Sequence, residues 1–236
     1  MIKKSYSKVD LFKHCKYRYK LKYLDKVKVL PNYEPTNALY LGSMLHKAIE
    51  TNVDIAVKEY LDIFPIMTDQ HVEEIIKIES LVPRVKKMLP TGFYEVEIGC
   101  DEFVGYIDLL TEDSIYDFKY SNNTERYLNS AQLHVYKYYV EKITGKKIKN
   151  LYYVFVPKVQ IRQKKTETIE QFRKRLREEL ANREPKIEPV EFDQSKVDEF
   201  LSVDLNTSFF PKTQNRLCNY CEYQGFCERG EMYDII

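Results

Sequence analysis

The chain has 236 residues, of which 44% are hydrophobic and 31% charged, as expected for a folded globular protein. Its formal net charge of +1 excludes a polycation, so any binding of nucleic acid must depend on local charge. No apolar run has the length of a membrane span, and the opening stretch MIKKSYSKVDLFKHCKYRYK has no apolar signal core. The composition therefore predicts a cytoplasmic protein with no membrane partner.

The first predicted element is a basic helix that opens with a capping box at Ser7-Lys8-Val9-Asp10. Residues 1–28 hold ten Lys or Arg. Cations neutralise phosphates and tyrosine rings stack on unpaired bases, so this segment contains candidate DNA-binding residues, namely Tyr17, Arg18 and Tyr19. A second basic stretch lies at 158–186. Solvated faces of ordinary helices have the same composition, so the two basic stretches alone do not establish DNA binding.

Two longer helices are predicted next, at 38–61 and 68–89, on either side of a short interruption. Gly42, His46 and Glu50 are spaced four residues apart and therefore share one face of the first helix. His46 is a candidate nitrogen ligand for a metal ion, and Glu50 is a candidate for a second ion or for holding a catalytic lysine. An exposed histidine beside a solvated glutamate is the alternative interpretation.

The period then changes to that of strands, and an antiparallel meander is predicted from about 93 to 120. Its stretch GYIDLLTEDSIYDFKYS places Asp108 on one strand and Asp117 on the next. Because side chains alternate along a strand, Asp117 and Lys119 share a face while Phe118 points into apolar packing. Adjacent carboxylates repel unless a cation lies between them, and oxygen ligands suit Mg²⁺ or Mn²⁺. Two aspartates, a lysine and a metal ion are the equipment for phosphodiester hydrolysis, although a surface hairpin with scattered charges also fits this stretch.

A helix at 128–144 follows, and it carries Gln132 and Tyr136 one turn apart. Its start follows the strand of Lys119 directly, so these two side chains are candidates for contacting a DNA backbone at the metal site. A partly buried polar pair on an amphipathic helix fits equally well. The remaining predicted elements are a buried strand, a charged helix and a short helix, at 151–157, 167–183 and 195–204. This order predicts an α/β fold with a mixed central sheet flanked by helices.

The cysteines form a second candidate site. Cys218, Cys221 and Cys227 lie in an irregular tail with the spacing of metal ligands. Cys15 and Cys100 are the candidates for a fourth ligand, and Cys100 is better explained as an ordinary buried thiol. The spacing alone fits a zinc site and an iron–sulfur cluster equally well.

Together these motifs resemble the RecB-like branch of the PD-(D/E)XK nucleases, which includes the iron–sulfur nuclease of CRISPR adaptation, the AddB nuclease domain and many phage exonucleases. The resemblance covers nearly the whole chain and rests on the order of its motifs: the first helix with Cys15, GSMLHKAIE with His46, GYID with Asp108, DFK with Asp117 and Lys119, QLHVY with Gln132 and Tyr136, and the triplet Cys218, Cys221 and Cys227. Many members have glutamate where Asp117 stands and proline where Lys16 stands.

The resemblance implies a metal-dependent deoxyribonuclease with a restriction-endonuclease-like core. The metal ligands would be His46, Asp108, Asp117 and the backbone carbonyl of Phe118, with Lys119 as the catalytic lysine. The four cysteines, Cys15 included, would bind a [4Fe-4S] cluster. The whole chain, 1–236, would be one nuclease domain with its core at 38–160, and residues 1–30 and 205–236 would together form the cluster region.

The resemblance also implies an exonuclease that acts on single-stranded DNA or DNA ends, in recombination, repair, phage replication or CRISPR adaptation. Its setting would be the cytoplasm of a bacterial, archaeal or phage-infected cell. The chain has no GxxxxGK[ST] loop, so a helicase motor of that kind would have to come from a partner. The alternative is a DNA-binding subunit whose nuclease site is silent or depends on a partner.

Overall fold

The fold is built on one mixed sheet of five strands. A computed structural model describes residues 2–229. The strands lie side by side in chain order: β1 (Phe93–Gly99), β2 (Val104–Leu110), β3 (Ser114–Tyr120), β4 (Asn150–Val156) and β5 (Lys186–Val190). The β3–β4 pair is parallel and the other pairs are antiparallel. This arrangement confirms the predicted α/β class with a mixed central sheet.

Helices cover both faces of the sheet. They are α1 (Tyr6–His14), α2 (Lys16–Tyr19, continued by a π-helical turn at Lys20–Leu24), α3 (Ala38–Glu50), α4 (Val53–Leu61), α5 (Asp69–Met88), α6 (Glu125–Leu128), α7 (Gln132–Thr144), α8 (Ile169–Ala181), α9 (Gln194–Ser202) and α10 (Gln224–Arg229), with a 3₁₀ turn at Arg216–Tyr220. Among residues 2–229, no helix is long and apolar enough to cross a membrane.

The core has two parts, one on each face of the sheet. One part packs α3, α4, α5 and α8 against strand residues that include Phe118 and Val154. The other packs α1, α7 and α9 against residues that include Ile115 and Tyr153. Neighbouring strand residues therefore point to opposite layers, as strand geometry requires. Phe118 is 2% exposed and enters the α3 layer, which confirms the prediction that it points away from Asp117 and Lys119.

Several predicted boundaries were wrong for local reasons. The helix predicted at 38–61 is two helices, because α3 ends at Glu50 and the side chain of Asn52 caps α4 by accepting from the Ile55 N–H at 2.9 Å. The first helix is capped by Ser5 rather than by a box that starts at Ser7. The strand β5 was not predicted, because it contains Pro189 and proline is more typical of a linker than of a strand.

The two ends of the described chain contact each other. The Tyr17 N–H donates to the Pro211 carbonyl at 3.2 Å, and the Tyr223 hydroxyl donates to the Val27 carbonyl at 3.1 Å. Arg18 forms an ion pair with Glu222. These contacts bring the segment of Cys15 to the cysteine-rich tail. Met1 and residues 230–236, which belong to the predicted cluster region, lie outside the described residues.

Candidate metal centre and active site

Asp108 and Asp117 lie side by side where β2 and β3 separate. The ladder between the two strands pairs Leu109 with Tyr116, and the next position in the same register is Asp108 opposite Asp117. There the Asp108 carboxylate takes the place of a ladder bond, since its Oδ2 accepts from the Phe118 N–H at 2.6 Å. Both aspartates are buried. The meander thus places the two carboxylates together, as its sequence predicted.

Lys119 contacts both strand and helix. Its Nζ lies 2.5 Å from Asp117 Oδ2 and donates to Gln132 Oε1 at 3.1 Å. Gln132 is the first residue of α7, and its Nε2 donates to the Tyr136 hydroxyl at 3.3 Å. The QLHVY helix therefore reaches the site through the lysine. Gly105 makes room for this helix, because a Cβ there would lie 2.9 Å from Tyr136 Cε1.

His46 joins the site from α3. Its Nε2 is 3.0 Å from the carbonyl oxygen of Phe118, and its Nδ1 is 3.3 Å from Asp108 Oδ1 and 3.8 Å from Glu95 Oε1. One ligand atom from each of His46, Glu95 and Asp108 can be chosen so that all three lie within 4.8 Å of one another. An imidazole nitrogen and two carboxylate oxygens make a donor set that fits Mg²⁺ or Mn²⁺.

Sequence reasoning missed Glu95, which lies on β1 directly across from Asp108. The pairs Tyr94–Leu109 and Val96–Ile107 flank this position. Glu95 has φ +49°, a left-handed conformation that is uncommon for residues other than glycine. The available signal was the hairpin itself, because pairing the two strands about their turn at residues 100–103 sets residue 95 opposite residue 108. The backbone conformation carried no sequence signal, since glutamate is not typical of it.

The charges of the site compensate one another. Burial would lower the pKa of His46, but Asp108 and Glu95 outweigh it and raise the pKa to about 10. Burial likewise opposes the charge of Lys119, yet Asp117 and Asp108 hold the pKa of its ammonium group above the usual value. Burial raises the pKa of Asp117 to about 6 despite the neighbouring Lys119. The two aspartates therefore favour the charged form of Lys119, which can donate hydrogen bonds and offset negative charge.

Some predicted residues lie elsewhere or make other contacts. Glu50 forms an ion pair with Lys47 at 3.3 Å, whereas Lys119 pairs with Asp117, so the expected contact between Glu50 and the lysine is not formed. Tyr19 is fully buried, and its ring packs edge-on against Phe12 at 5.1 Å. The prediction that Tyr19 stacks on DNA is therefore corrected, because its ring belongs to the core.

Part of the predicted basic surface is paired with acidic groups or packed on aromatic rings. Arg18 pairs with Glu222, and the ammonium of Lys212 lies 5.1 Å from the centre of the half-buried Tyr17 ring. In the second basic stretch, Arg173 pairs with Asp69 and Arg175 with Glu167, each at 2.7 Å. These pairs reduce the local charge that the sequence suggested. For the paired positions, the solvated-face interpretation explains more than DNA binding does.

The cysteines of the tail and Cys15 are half-buried and free of disulfides. The Sγ of Cys15 accepts from the Arg18 N–H at 3.5 Å, and the Sγ of Cys218 accepts from the Asn215 N–H at 3.4 Å. Burial raises the pKa of the Cys221 thiol, and Cys15 is near enough to add to this effect. Within residues 2–229, no three cysteine sulfurs lie within 4.8 Å of one another. Cys100, at the β1–β2 turn, is half-buried against the core.

A mixed sheet that holds two aspartates and a lysine on adjacent strands, with a histidine from the packed helix α3, defines a metal-dependent phosphodiester hydrolase. The model of the PD-(D/E)XK nuclease superfamily matches residues 3–228, and the chain belongs to this superfamily. The flanked five-stranded sheet is consistent with its restriction-endonuclease-like fold. Nucleases of this superfamily use divalent metal ions and act on DNA. No curated protein matches the chain.

Proposed function

We propose that this protein is a RecB-like, metal-dependent exonuclease that hydrolyses single-stranded DNA or DNA ends. The observation that supports it best is the position of Lys119, whose ammonium group is held between Asp117 and Gln132. A lysine held by two neighbours in the site of Asp108 is placed to donate a hydrogen bond to an attacking water or a phosphate oxygen. Family membership supports the nuclease class, and the resemblance of the ordered motifs supports the finer assignment.

The ligands proposed for a divalent ion are His46, Asp108, Asp117 and the carbonyl of Phe118. A bound ion supplies a water of lowered pKa and offsets charge on the phosphate. The charged Lys119 donates hydrogen bonds to the attacking water or to a phosphate oxygen. Asp108 accepts the Phe118 N–H, and the Phe118 carbonyl accepts the His46 Nε2–H, so this carbonyl would bind an ion through its second lone pair. Glu50 is a weaker candidate, since its carboxylate is paired with Lys47.

The DNA is proposed to approach along α7. Gln132 contacts both Lys119 and Tyr136, so a phosphate bound at Lys119 would lie beside Gln132 at the start of α7. Tyr17 and Arg18 remain candidates for contacts farther along the strand, near the cysteine-rich tail. The Tyr17 ring contacts Lys212 and the Arg18 guanidinium pairs with Glu222, so DNA would have to compete with those contacts.

We also propose that Cys15, Cys218, Cys221 and Cys227 bind a [4Fe-4S] cluster. Two of these sulfurs already accept backbone N–H groups, a contact that stabilises thiolate ligands. A four-thiolate zinc site is the alternative, and the resemblance of the ordered motifs supports the cluster over zinc. Iron and sulfide analysis of anaerobically purified protein tests the assignment, and stoichiometric zinc without iron would contradict it.

Cys15→Ser tests whether Cys15 is one of the cluster ligands. Because the ligands join both ends of the chain, we expect this variant to lose iron and to melt at a lower temperature than the wild type. Cys100→Ser is the matched control, since Cys100 lies outside the proposed ligand set, and it should retain its iron. An unchanged iron content in Cys15→Ser would exclude Cys15 as a ligand.

The decisive experiment for the nuclease is cleavage of end-labelled single-stranded DNA with Mg²⁺, Mn²⁺ or EDTA. We expect metal-dependent cleavage that Lys119→Ala reduces by about 100-fold or more, because the lysine acts where charge develops. Lys149→Ala is the matched control. Lys149 also pairs with an aspartate, Asp113, but it is exposed, and both residues precede the first β3–β4 pair, at the end of these strands away from Lys119. The ladder of products distinguishes an exonuclease from an endonuclease.

The main alternative is a DNA-binding subunit with a silent or partner-dependent site. Folded, iron-loaded protein that binds DNA but never cleaves it would favour this alternative over an autonomous nuclease. It would also direct the search to a helicase or to a recombination or CRISPR-adaptation partner, since the sequence contains no GxxxxGK[ST] loop.

A further inference from the structure

We infer that Glu95 is a direct ligand of the divalent ion, beside His46 and Asp108. This inference rests on the proposed function, because it assigns one more residue to that same metal centre. Neither the motif order nor the resemblance includes Glu95. The position of its carboxylate relative to two proposed ligands supports the assignment.

The first argument is the convergence of donor atoms. His46, Glu95 and Asp108 each direct one ligand atom into a volume where the three atoms are within 4.8 Å of one another. They come from three separate elements, α3, β1 and β2, so sequence proximity does not explain their meeting. Lys119 lies 2.5 Å from Asp117 Oδ2 and compensates that carboxylate. Asp108 Oδ1 and Glu95 Oε1 both face the same nitrogen of His46, at 3.3 Å and 3.8 Å from Nδ1.

The second argument is the orientation of the His46 ring. Its Nε2 faces the Phe118 carbonyl at 3.0 Å, and a carbonyl can only accept, so Nε2 carries a proton. Histidine ligands commonly donate their second N–H to a backbone carbonyl, which fixes the ring and exposes the other nitrogen to the metal. The other nitrogen is Nδ1, which faces both Asp108 and Glu95, and a metal ion bound there would displace the proton that these carboxylates favour on it.

The third argument concerns the backbone of Glu95. Regular pairing continues on both sides of it, so the left-handed φ of +49° is confined to this one residue of β1. If only the backbone conformation mattered, glycine would be the more stable residue here, because it adopts a left-handed φ without steric cost. The side chain is 38% exposed, so packing does not require a glutamate either. A role as a metal ligand accounts for an acidic side chain at a position where the backbone disfavours one.

Titration with Mn²⁺ alone, in the full-length protein without DNA, tests the inference directly. Bound Mn²⁺ is measured by calorimetry or from the loss of the free-ion EPR signal. We expect Glu95→Gln to weaken Mn²⁺ binding by at least about tenfold, because it removes a charged ligand and preserves size. Glu97→Gln is the matched control, since Glu97 is also exposed on β1 but contacts Tyr106, and it should stay within about twofold of the wild type.

Glu95→Gly separates ligation from folding. We expect this variant to melt at a higher temperature than the wild type, because glycine relieves the left-handed backbone, and to bind Mn²⁺ as weakly as Glu95→Gln. Wild-type affinity in either Glu95 variant would overturn the inference while leaving the proposed nuclease intact. Absence of Mn²⁺ binding and of cleavage in the wild type would instead refute the proposed function, so the two failures are distinguishable.

Discussion

The buried ion pair between Lys119 and Asp117 makes a sharp prediction about stability. The Asp117 side chain is 2% exposed and that of Lys119 is 16% exposed, so both charges are largely removed from water. Removing one partner of a buried pair leaves an uncompensated charge and typically costs about 3–5 kcal/mol, whereas replacing both partners is often nearly neutral. The relevant variants are Lys119→Met, Asp117→Asn and their combination.

The expected cost of each single variant is about 2 kcal/mol, lower than for a fully buried pair because Lys119 retains some solvent and a bond to Gln132. For a chain of this size, that corresponds to a fall of about 4–8 °C in Tm. The double variant should lie within about 1 kcal/mol of the wild type, which gives a coupling energy of about 3 kcal/mol. All three variants should be inactive in DNA cleavage.

Urea denaturation in EDTA gives the free energy of unfolding for each variant. The matched cycle uses Lys149→Met and Asp113→Asn, an exposed pair with a distance of 3.2 Å at the other ends of β3 and β4. Its coupling energy should be below about 1 kcal/mol. Additive effects of Lys119→Met and Asp117→Asn would refute the reasoning, because they would show that the two charges do not depend on each other. The predicted result means that the protein keeps this pair for activity and not for stability.

Two further predictions concern parts of the fold away from the site. Burial, and then Lys196, lower the pKa of His134 to about 4, so between pH 6.5 and 4 the unfolded chain takes up a proton that the folded chain does not. The free energy of unfolding should therefore fall from pH 7 to pH 5, and it should fall less steeply in His134→Gln. The exposed control His14→Gln should fall as steeply as the wild type. A wild-type slope in His134→Gln would exclude His134 as the cause. Arg84 donates to carbonyls at the end of α8, including that of Leu180 at 2.8 Å, so Arg84→Met should lower the free energy of unfolding by about 1–2 kcal/mol in urea denaturation without loss of cleavage. An unchanged urea midpoint would contradict this role.

The sequence predicted the centre of the site because strand periodicity and motif order carry the relevant information. In a meander, Asp108 and Asp117 fall on neighbouring strands, and alternation puts Lys119 on the face of Asp117. The structure agrees with these placements. Helix spacing likewise predicted which face of α3 carries His46, although only the tertiary fold could show which carboxylates that histidine contacts.

The features that the sequence did not reveal depend on contacts between distant segments or on unusual backbone. Hairpin pairing alone sets Glu95 opposite Asp108, but neither its left-handed backbone nor its approach to His46 of α3 has a signal in the sequence. Tyr19 was assigned to DNA because a tyrosine in a basic helix has no local signal of burial, and its partners include Phe210 from far along the chain. The strand β5 contains Pro189, which a pattern based on local propensity assigns to a linker.

The meeting of the two chain ends has a consequence for biosynthesis. Arg18 and Glu222 are 204 residues apart in sequence, and the Tyr223 hydroxyl closes a similar span to Val27. A ribosome makes Cys15, between α1 and α2, before the sheet, and the segment that carries Cys218, Cys221 and Cys227 only after all five strands have been translated. The first helices therefore leave the exit tunnel without these partners, and the contacts can form only once residues 211–223 have also emerged.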